Sequence, residues 1–410
     1  MYLADVTSGA RVRGGLRRVA TGNVLALGLV SLVTDVSAEM VTAVLPAYLV
    51  LGLHLSLSQY GLLDGLYTGA TAVTRLAGGY LADRFQRRKL VALLGYGLSA
   101  VAKVGLLGAG SAGGIGAVIA VDRTGKGIRT APRDALIAGA VAEPDLGQAF
   151  GVHRAMDAVG AFLGPLAAAG LLLLAGTADY RPVFVGSLCA AVLGLVLLGL
   201  LVVEPPPTVR SHPVAPRPPL RLRELGTAPG FGRLCAAAAL LGLVTVGDGF
   251  VYLVLQRRDD LPVRLFPLLA VGTSLAFLAL AVPLGRLADR VGRWPVVVLG
   301  HAALLAVYLL LGSGHGPVWL VLALHGTFYA ATDGVLAALA VPLVPAALRT
   351  TALAVLQTGQ ALAYLVSSVV FGLLWQGAGV RTACLTAAAA VALLLPLGAL
   401  LLRGRASVAR

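Results

Sequence analysis

Residues 79–88 read GYLADRFQRR, and residues 285–293 read GRLADRVGR. Each stretch opens on glycine, carries Leu-Ala-Asp-Arg in the same register and closes on arginine; Asp83 and Asp289 stand 206 positions apart. Long apolar runs flank both copies, so each reads as a short charged turn between two apolar helices. A turn that recurs in this way implies a chain built from two like halves. Asp35 and Asp248, each within the first apolar run of its half, repeat the relation at a separation of 213.

Composition says where such a chain can live. Of the 410 residues, 58% are hydrophobic and 12% charged, about half the ~25% charge of a soluble protein. The mean hydropathy is +0.89. A soluble enzyme, a disulfide scaffold and a disordered tail are excluded. The 52 glycines sit among Leu/Ala/Val runs, as they do where helices approach closely in lipid. The net charge of +14 comes from 32 basic residues in short clusters between apolar runs. That pattern marks membrane topology rather than a nucleic-acid face. Cys189, Cys235 and Cys384 each lie in an apolar run and read as packing residues.

A spanning helix needs roughly 20 apolar residues. Charged or Gly/Pro-rich breaks divide the chain into twelve such stretches, centred near Asp35, Gly69, Val101, Val121, Phe162, Leu193, Thr245, Thr273, Ala306, Thr327, Leu362 and Val391. The first, about Leu25–Leu53, follows Arg11, Arg13, Arg17 and Arg18 and superficially imitates a secretory signal. It is too long, holds Asp35 and Glu39, and lacks a small-residue cleavage site, so it reads as a retained span. One side of the membrane receives the N-terminus, Arg84–Lys89, Arg210–Arg233, Arg286–Arg293, Arg349, Arg403, Arg405 and Arg410. The other receives only Arg181, Arg257, Arg258, Arg264 and Arg381. The positive-inside rule then puts both termini in the cytoplasm, with the 256–264 loop, which also holds Asp259 and Asp260, running against it.

The apolar pattern stops where Pro205, Pro206, Pro207, Pro213, Pro216, Pro218 and Pro219 alternate with arginines, the composition of a semi-rigid linker. The expected layout is a cytoplasmic tail (1–22), a six-helix bundle (23–203), a cytoplasmic linker (204–229), a second six-helix bundle (230–403) and a cytoplasmic tail (404–410). The fold class is thus an all-α integral membrane protein of twelve transmembrane helices in two bundles. Such repeats usually rock about a central site.

In its paired loop motif the chain resembles the major facilitator superfamily of secondary transporters, over essentially its whole length. Gly79, Asp83, Arg84, Arg87 and Arg88 match the family's most specific signature, with Gln86 where glycine is usual; Gly285, Asp289, Arg290 and Arg293 form the weaker second copy. The resemblance implies that Asp83 holds the outward-open state by pairing across the cytoplasmic face, while the arginines contact helix ends and lipid phosphates. A narrower likeness, to a bacterial branch of the family, rests on Asp122-Arg123-x-Gly125-Lys126-Gly127-x-Arg129-x-x-Pro132-Arg133-Asp134 in span four, with Thr34, Asp35, Glu39 and Met40 in span one. In span five, Gly160-x-x-x-Gly164-Pro165 is similar to the family's antiporter motif, with Ala168 and Ala169 replacing glycines. That implies export coupled to inward proton flow, although the same residues also describe close packing with a proline kink.

Ionisable residues inside spans are costly unless paired or wetted, and each is a functional candidate. Asp35 and Glu39 share one face of span one with Ser31, Thr42 and Pro46. Asp122, Lys126, Arg129 and Arg133 form a stripe along span four, with Arg123 displaced to a second face; Arg154 and Asp157 lie near the cytoplasmic end of span five, beside His153. Asp35, Glu39, Asp122 and Asp157 balance Arg123, Lys126, Arg129 and Arg154. Two readings stand side by side: interhelix ion pairs that fix the packing, or a wet lattice in which an acid released from its partner takes a proton. In the second reading Glu39, the deeper of the pair, is the proton-binding residue, with Asp35, Asp122 and Asp157 as further candidates. Arg129 or Lys126 then supplies the counter-charge or contacts an anionic substrate.

The second half holds Asp248, His301, His325 and Asp333 at depth. Asp248 and Tyr252 share a face of span seven, His325 and Tyr329 one of span ten, and Gln357, Gln360, Tyr364 and Ser368 one of span eleven. Such stripes suit an amphipathic organic molecule, and equally suit hydrogen bonding between helices. Lys103 and Arg75 are expected to snorkel to the interface, and Asp64 to reach water at the outer end of span two. No metal-ligand spacing, phosphate loop or nucleophile–base pair occurs, so no enzyme, metal or cofactor is expected. The function expected is proton-coupled export of a small organic compound by a monomer in the inner (plasma) membrane. Uptake or exchange of an anionic metabolite through Arg123, Lys126, Arg129 and Arg154 is the alternative, and a non-transporting membrane sensor the remote one.

Overall fold

The computed structural model describes residues 22–85, 87–142, 145–176, 179–204, 228–345 and 348–403, and their side chains except at 71–73, 75–85 and 350. The N-terminal arginines, Gln86, the proline-rich linker (205–227) and residues 404–410 lie outside the described residues. Among the described residues every regular element is helical. In chain order these are α1 (Gly22–Ala47), continued by a π turn (Tyr48–Gly52), α2 (Leu57–Phe85), α3 (Arg88–Gly108), α4 (Ala112–Gly139), α5 (Leu146–Ala175) and α6 (Arg181–Leu201). Then come α7 (Phe231–Gly242), α8 (Asp248–Arg258), α9 (Pro267–Val291), α10 (Arg293–Ser313), α11 (Val318–Thr332), α12 (Val335–Ala340) and α13 (Arg349–Arg403).

Helices are what lipid demands, because hydrocarbon offers no partner for a bare backbone N–H or C=O. Eight described helical segments are long and apolar enough to cross a membrane. Their outer faces carry leucines that no soluble protein would show to water, among them Leu174 at 86%, Leu200 at 78% and Leu393 at 76% exposure. At ~1.5 Å per residue the 55 residues of α13 would run to about 80 Å, far beyond a ~30 Å hydrocarbon core. Gly379, at φ 86° and ψ 163°, leaves the helical region and divides α13 into two arms, 349–378 and 380–403. A side chain there would be strained.

Where the sequence predicts continuous spans seven and ten, the structure breaks both. Residues 243–247 interrupt the first between α7 and α8, and Asp333–Gly334 interrupt the second between α11 and α12. The first break leaves backbone groups without helical partners at depth. The Tyr308 hydroxyl serves two of them, accepting from the Val246 N–H at 2.8 Å and donating to the Val244 carbonyl at 3.1 Å.

The chain forms two compact units. One comprises residues up to Leu45 and Ala70–Ala215; the other comprises Pro46–Gly69 and the chain from Pro216 onward. In the first, Leu27, Val30, Ala92, Tyr96, Leu136 and Leu198 anchor a core between α1, α3, α4 and α6. In the second, Leu234, Leu241, Val297, Ala331, Leu356 and Leu402 join α7, α10, α11 and both arms of α13.

Candidate functional site: two buried polar clusters

The first cluster is created by a close helix crossing in the first unit. A Cβ added to Gly95 of α3 would lie 2.8 Å from the Gly125 carbonyl of α4, so the two backbones touch. Ser99 then donates to the Asp122 carbonyl at 3.1 Å. This proximity draws the Lys103 ammonium to 3.2 Å from the Asp122 carboxylate, where Arg123 also binds through Nε at 2.9 Å and through Nη2. The Lys103 and Arg123 side chains are each 5% exposed and that of Asp122 14%. Two cations thus lean on one carboxylate. Lys103 does not snorkel to the interface: α4 supplies a nearer partner than any headgroup. Arg123 does not leave the stripe either, since its guanidinium turns back to the preceding aspartate. Arg129 stacks 4.4 Å over the Tyr96 ring and donates to Ser99 at 3.2 Å.

Along the same unit, α1, α4 and α5 share a second patch of charge. Arg133 donates to Asp134 at 2.9 Å and to Ser31 at 3.3 Å. Asp157 hydrogen-bonds Ser31 and lies 3.5 Å from His153 Nε2. Arg154, expected to share this buried position, is exposed. His153, one helical turn before Asp157, takes the inward place. Lys126 sits within electrostatic reach of both Asp35 and Glu39. Gly164 of α5 packs on α1 at Glu39, where an added Cβ would be 2.6 Å from the Glu39 Cβ and 2.9 Å from the Val36 carbonyl. The glycine of the antiporter-like motif therefore sets the seat of Glu39. Gly160 meets α1 one turn earlier, at Leu32, and the buried Pro165 follows it. Leaving out the exposed Arg154, five cations (Lys103, Arg123, Lys126, Arg129, Arg133) face five carboxylates (Asp35, Glu39, Asp122, Asp134, Asp157).

The second cluster lies wholly in the second unit, which includes the start of α2. Asp64 accepts from the Ser368 hydroxyl at 2.8 Å and from the hydroxyls of Tyr364 and Tyr60. Its expected exposure to water is thus corrected, because α2 packs tightly on α13 here: a Cβ on Gly65 would fall 2.8 Å from the Leu365 Cα. Asp248, the first residue of α8, accepts from the Tyr329 hydroxyl, and His325 Nε2 approaches it at 3.6 Å. Tyr252 meets His325 edge-on at 6.0 Å. Asp333, expected at depth with Asp248, is exposed at the α11–α12 break, and Gln357 is also exposed, whereas Gln360 is half-buried. His301 hydrogen-bonds the carbonyl of Val297 on its own helix through Nδ1 at 2.8 Å and is satisfied where it stands.

At the loop motifs, Asp83 and Arg84 belong to the last turn of α2, near Gly79, and Arg87 and Arg88 are exposed at the start of α3. Lys89 donates to the Gly199 carbonyl at the end of α6. In the second copy, beyond Gly285, Asp289 and Arg290 are exposed and Arg293 donates to the Ala338 carbonyl in α12 at 2.8 Å. A cation thus meets the negative end of a helix in each unit. Sequence reasoning missed Asp64, Tyr60, Lys103 and Tyr308; for Asp64, the signal was a carboxylate one helical turn from a tyrosine inside an apolar run. Among the described residues, no cluster of His, Cys, Asp and Glu is arranged to hold a metal.

The sequence profile of the Major Facilitator Superfamily matches residues 27–272 and 258–410. An uncharacterized MFS-type transporter of Methanocaldococcus jannaschii is 30% identical over 381 residues, spanning 88% of this chain and 90% of its own. Among solved structures, the nucleoside transporter NupG superposes with a TM-score of 0.78 at 14% identity, covering 93% of this chain and 99% of its own. A D-xylose–proton symporter superposes at 0.72 with 18% identity, over 93% and 96%. The two superpositions show the fold; the profile and the archaeal relative show the family. The protein is a multi-pass membrane protein belonging to the major facilitator superfamily.

Proposed function

We propose that the protein is a secondary active transporter that works by alternating access and exports a small organic compound in exchange for protons. In this reading twelve spans form six-helix bundles over 23–203 and 230–403, joined by a cytoplasmic linker (204–229), with tails 1–22 and 404–410 cytoplasmic. It resides in the inner (plasma) membrane as a monomer and belongs to the branch marked by the Asp122–Asp134 motif. Asp83, with Arg84, Arg87 and Arg88, biases the transporter between its two states.

The observation that carries the proton is the seat of Glu39. It shares a helix face with Asp35, both carboxylates reach Lys126, and Gly164 of the antiporter-like motif packs against its Cβ. Two carboxylates one turn apart repel when both are ionised, and a proton on one of them relieves that repulsion. Loss of that proton inside returns Glu39 to Lys126; its gain outside releases the lysine. An anion site built from Arg123, Lys126, Arg129 and Arg154 is disfavoured, because Arg123 is committed to Asp122 and Arg154 is exposed. Asp122 and Asp157, with ion-pair partners of their own, serve as structural anions. The D-xylose–proton symporter shows that this fold accommodates proton coupling.

The test is reconstitution into proteoliposomes with an imposed pH gradient. Substrate accumulates against its own gradient and the accumulation collapses with a protonophore. Accumulation indifferent to the pH gradient would overturn proton coupling.

A further inference from the structure

Charge is distributed unequally between the two polar clusters. In the first unit every buried carboxylate named above has a Lys or Arg within reach. In the second unit, Asp64 and Asp248 lie within electrostatic range of each other, and the groups around them are hydroxyls and rings: Tyr60, Tyr364 and Ser368 at Asp64, Tyr329, His325 and Tyr308 at Asp248. The same groups include no lysine or arginine.

Two features point to a ligand here. The Asp248 side chain is 41% exposed, so a solute reaches its carboxylate even though one oxygen takes the Tyr329 hydroxyl. His325, by contrast, is fully buried, and neither ring nitrogen makes a hydrogen bond among the described residues; its Nε2 is aimed at Asp248 from 3.6 Å. A buried imidazole without a partner is costly unless something completes the site. The surrounding faces are aromatic. His325 stacks parallel to Phe328 at 6.5 Å, and Tyr329 stands 5.3 Å from His325 and 5.0 Å from Phe328. On the Asp64 side, Phe250 meets Tyr60 at 4.7 Å and Phe371 at 5.0 Å.

We infer that this cluster binds an organic ammonium compound, its positive centre lying at the Asp248 carboxylate beside His325, with Asp64 supplying the second negative charge. Carboxylates with no lysine or arginine beside them attract a cation, and aromatic faces around them favour one with a large, weakly hydrated positive centre over a hydrated inorganic ion. The hydroxyl cradle points Asp64 at the α8 N-terminus, where Gly247 leaves room: a Cβ on Gly247 would stand 2.8 Å from the Tyr364 hydroxyl. The inference names the substrate class of the transport reading and rests on it. Its test is a binding measurement, which requires no transport.

Full-length protein in detergent is titrated with benzyltrimethylammonium, its neutral isostere neopentylbenzene, benzoate and sodium chloride, and binding is read as a shift in melting temperature and by calorimetry. Benzyltrimethylammonium is expected to bind; the neutral isostere and benzoate are not. Asp248→Asn weakens the cation at least tenfold, Asp64→Asn weakens it less, and Asp248→Glu restores most of the affinity. Should Asp248→Asn unfold, competition of sodium chloride against the organic cation on wild-type protein keeps the inference open to refutation. Equal binding of the neutral isostere, no binding of the cation at millimolar concentration, or a site saturated by sodium or by protons alone would overturn it. Failure here leaves a proton-coupled exporter of another substrate standing, because gradient-driven accumulation is measured separately.

Discussion

Asp122→Asn removes a carboxylate that two buried cations share. Lys103 Nζ lies 3.2 Å from Asp122, and Arg123 binds the other oxygen. At that separation, with an effective dielectric near 20, the lysine–aspartate attraction alone is about 5 kcal/mol. Desolvation offsets much of it, so the relevant quantity is the cost of leaving charge unpaired, roughly 3–5 kcal/mol. The Lys103 and Arg123 side chains are 5% exposed and cannot recover solvent by a small movement. Asp134→Asn provides the contrast, because its carboxylate is 42% exposed and the loss should stay near or below ~1 kcal/mol. Reversible unfolding in mixed micelles reads both. Adding Lys103→Met to Asp122→Asn should recover a substantial part of the loss, since one orphaned cation then disappears. Asp122→Asn as stable as the wild type would refute the reading of this triad as a buried, mutually dependent ion cluster.

Tyr308→Phe strips the hydroxyl that serves Val246 and Val244 at the α7–α8 break. It should cost about 1–3 kcal/mol in the same unfolding measurement, and a loss below ~0.5 kcal/mol would mean that another group serves the break. Gly164→Val should separate α1 from α5 at Glu39, lowering stability by ~1–3 kcal/mol and abolishing transport; Gly170→Ala, with open space around it, should do neither. Single cysteines at positions 3 and 408 should be labelled only in permeabilised cells, and labelling of either in intact cells would overturn the orientation.

The all-helical, multi-pass architecture was legible in the sequence because it rests on gross properties, the long apolar runs and the low share of charge, and the family was legible in the repeated GxLADR register. The charged stripe of span four was legible for the same reason, since steps of three and four residues define a helix face. Partners were not. Lys103 read as a snorkelling residue because nothing in one dimension says that Gly95 and Gly125 bring α3 against α4. Asp64 read as solvent-facing because its hydroxyl donors, Ser368 and Tyr364, lie some three hundred positions away in sequence. The breaks at 243–247 and 333–334 were hidden by residues that are apolar on both sides. Hydropathy counts such residues as span, whereas backbone geometry is decided by Gly247, Gly334 and a tyrosine from another helix.

The central claim, that export is driven by protons through Glu39, is tested most directly by comparing two modes of transport in one variant. Glu39→Gln fixes the neutral form of the side chain. In proteoliposomes, labelled substrate is followed first as exchange at equal pH and then as accumulation under a pH gradient. Exchange should persist while gradient-driven accumulation disappears, with Asp35→Asn showing a weaker form of the same defect. Full gradient-driven accumulation by Glu39→Gln, at equal protein level, would contradict the claim and remove Glu39 as the coupling residue.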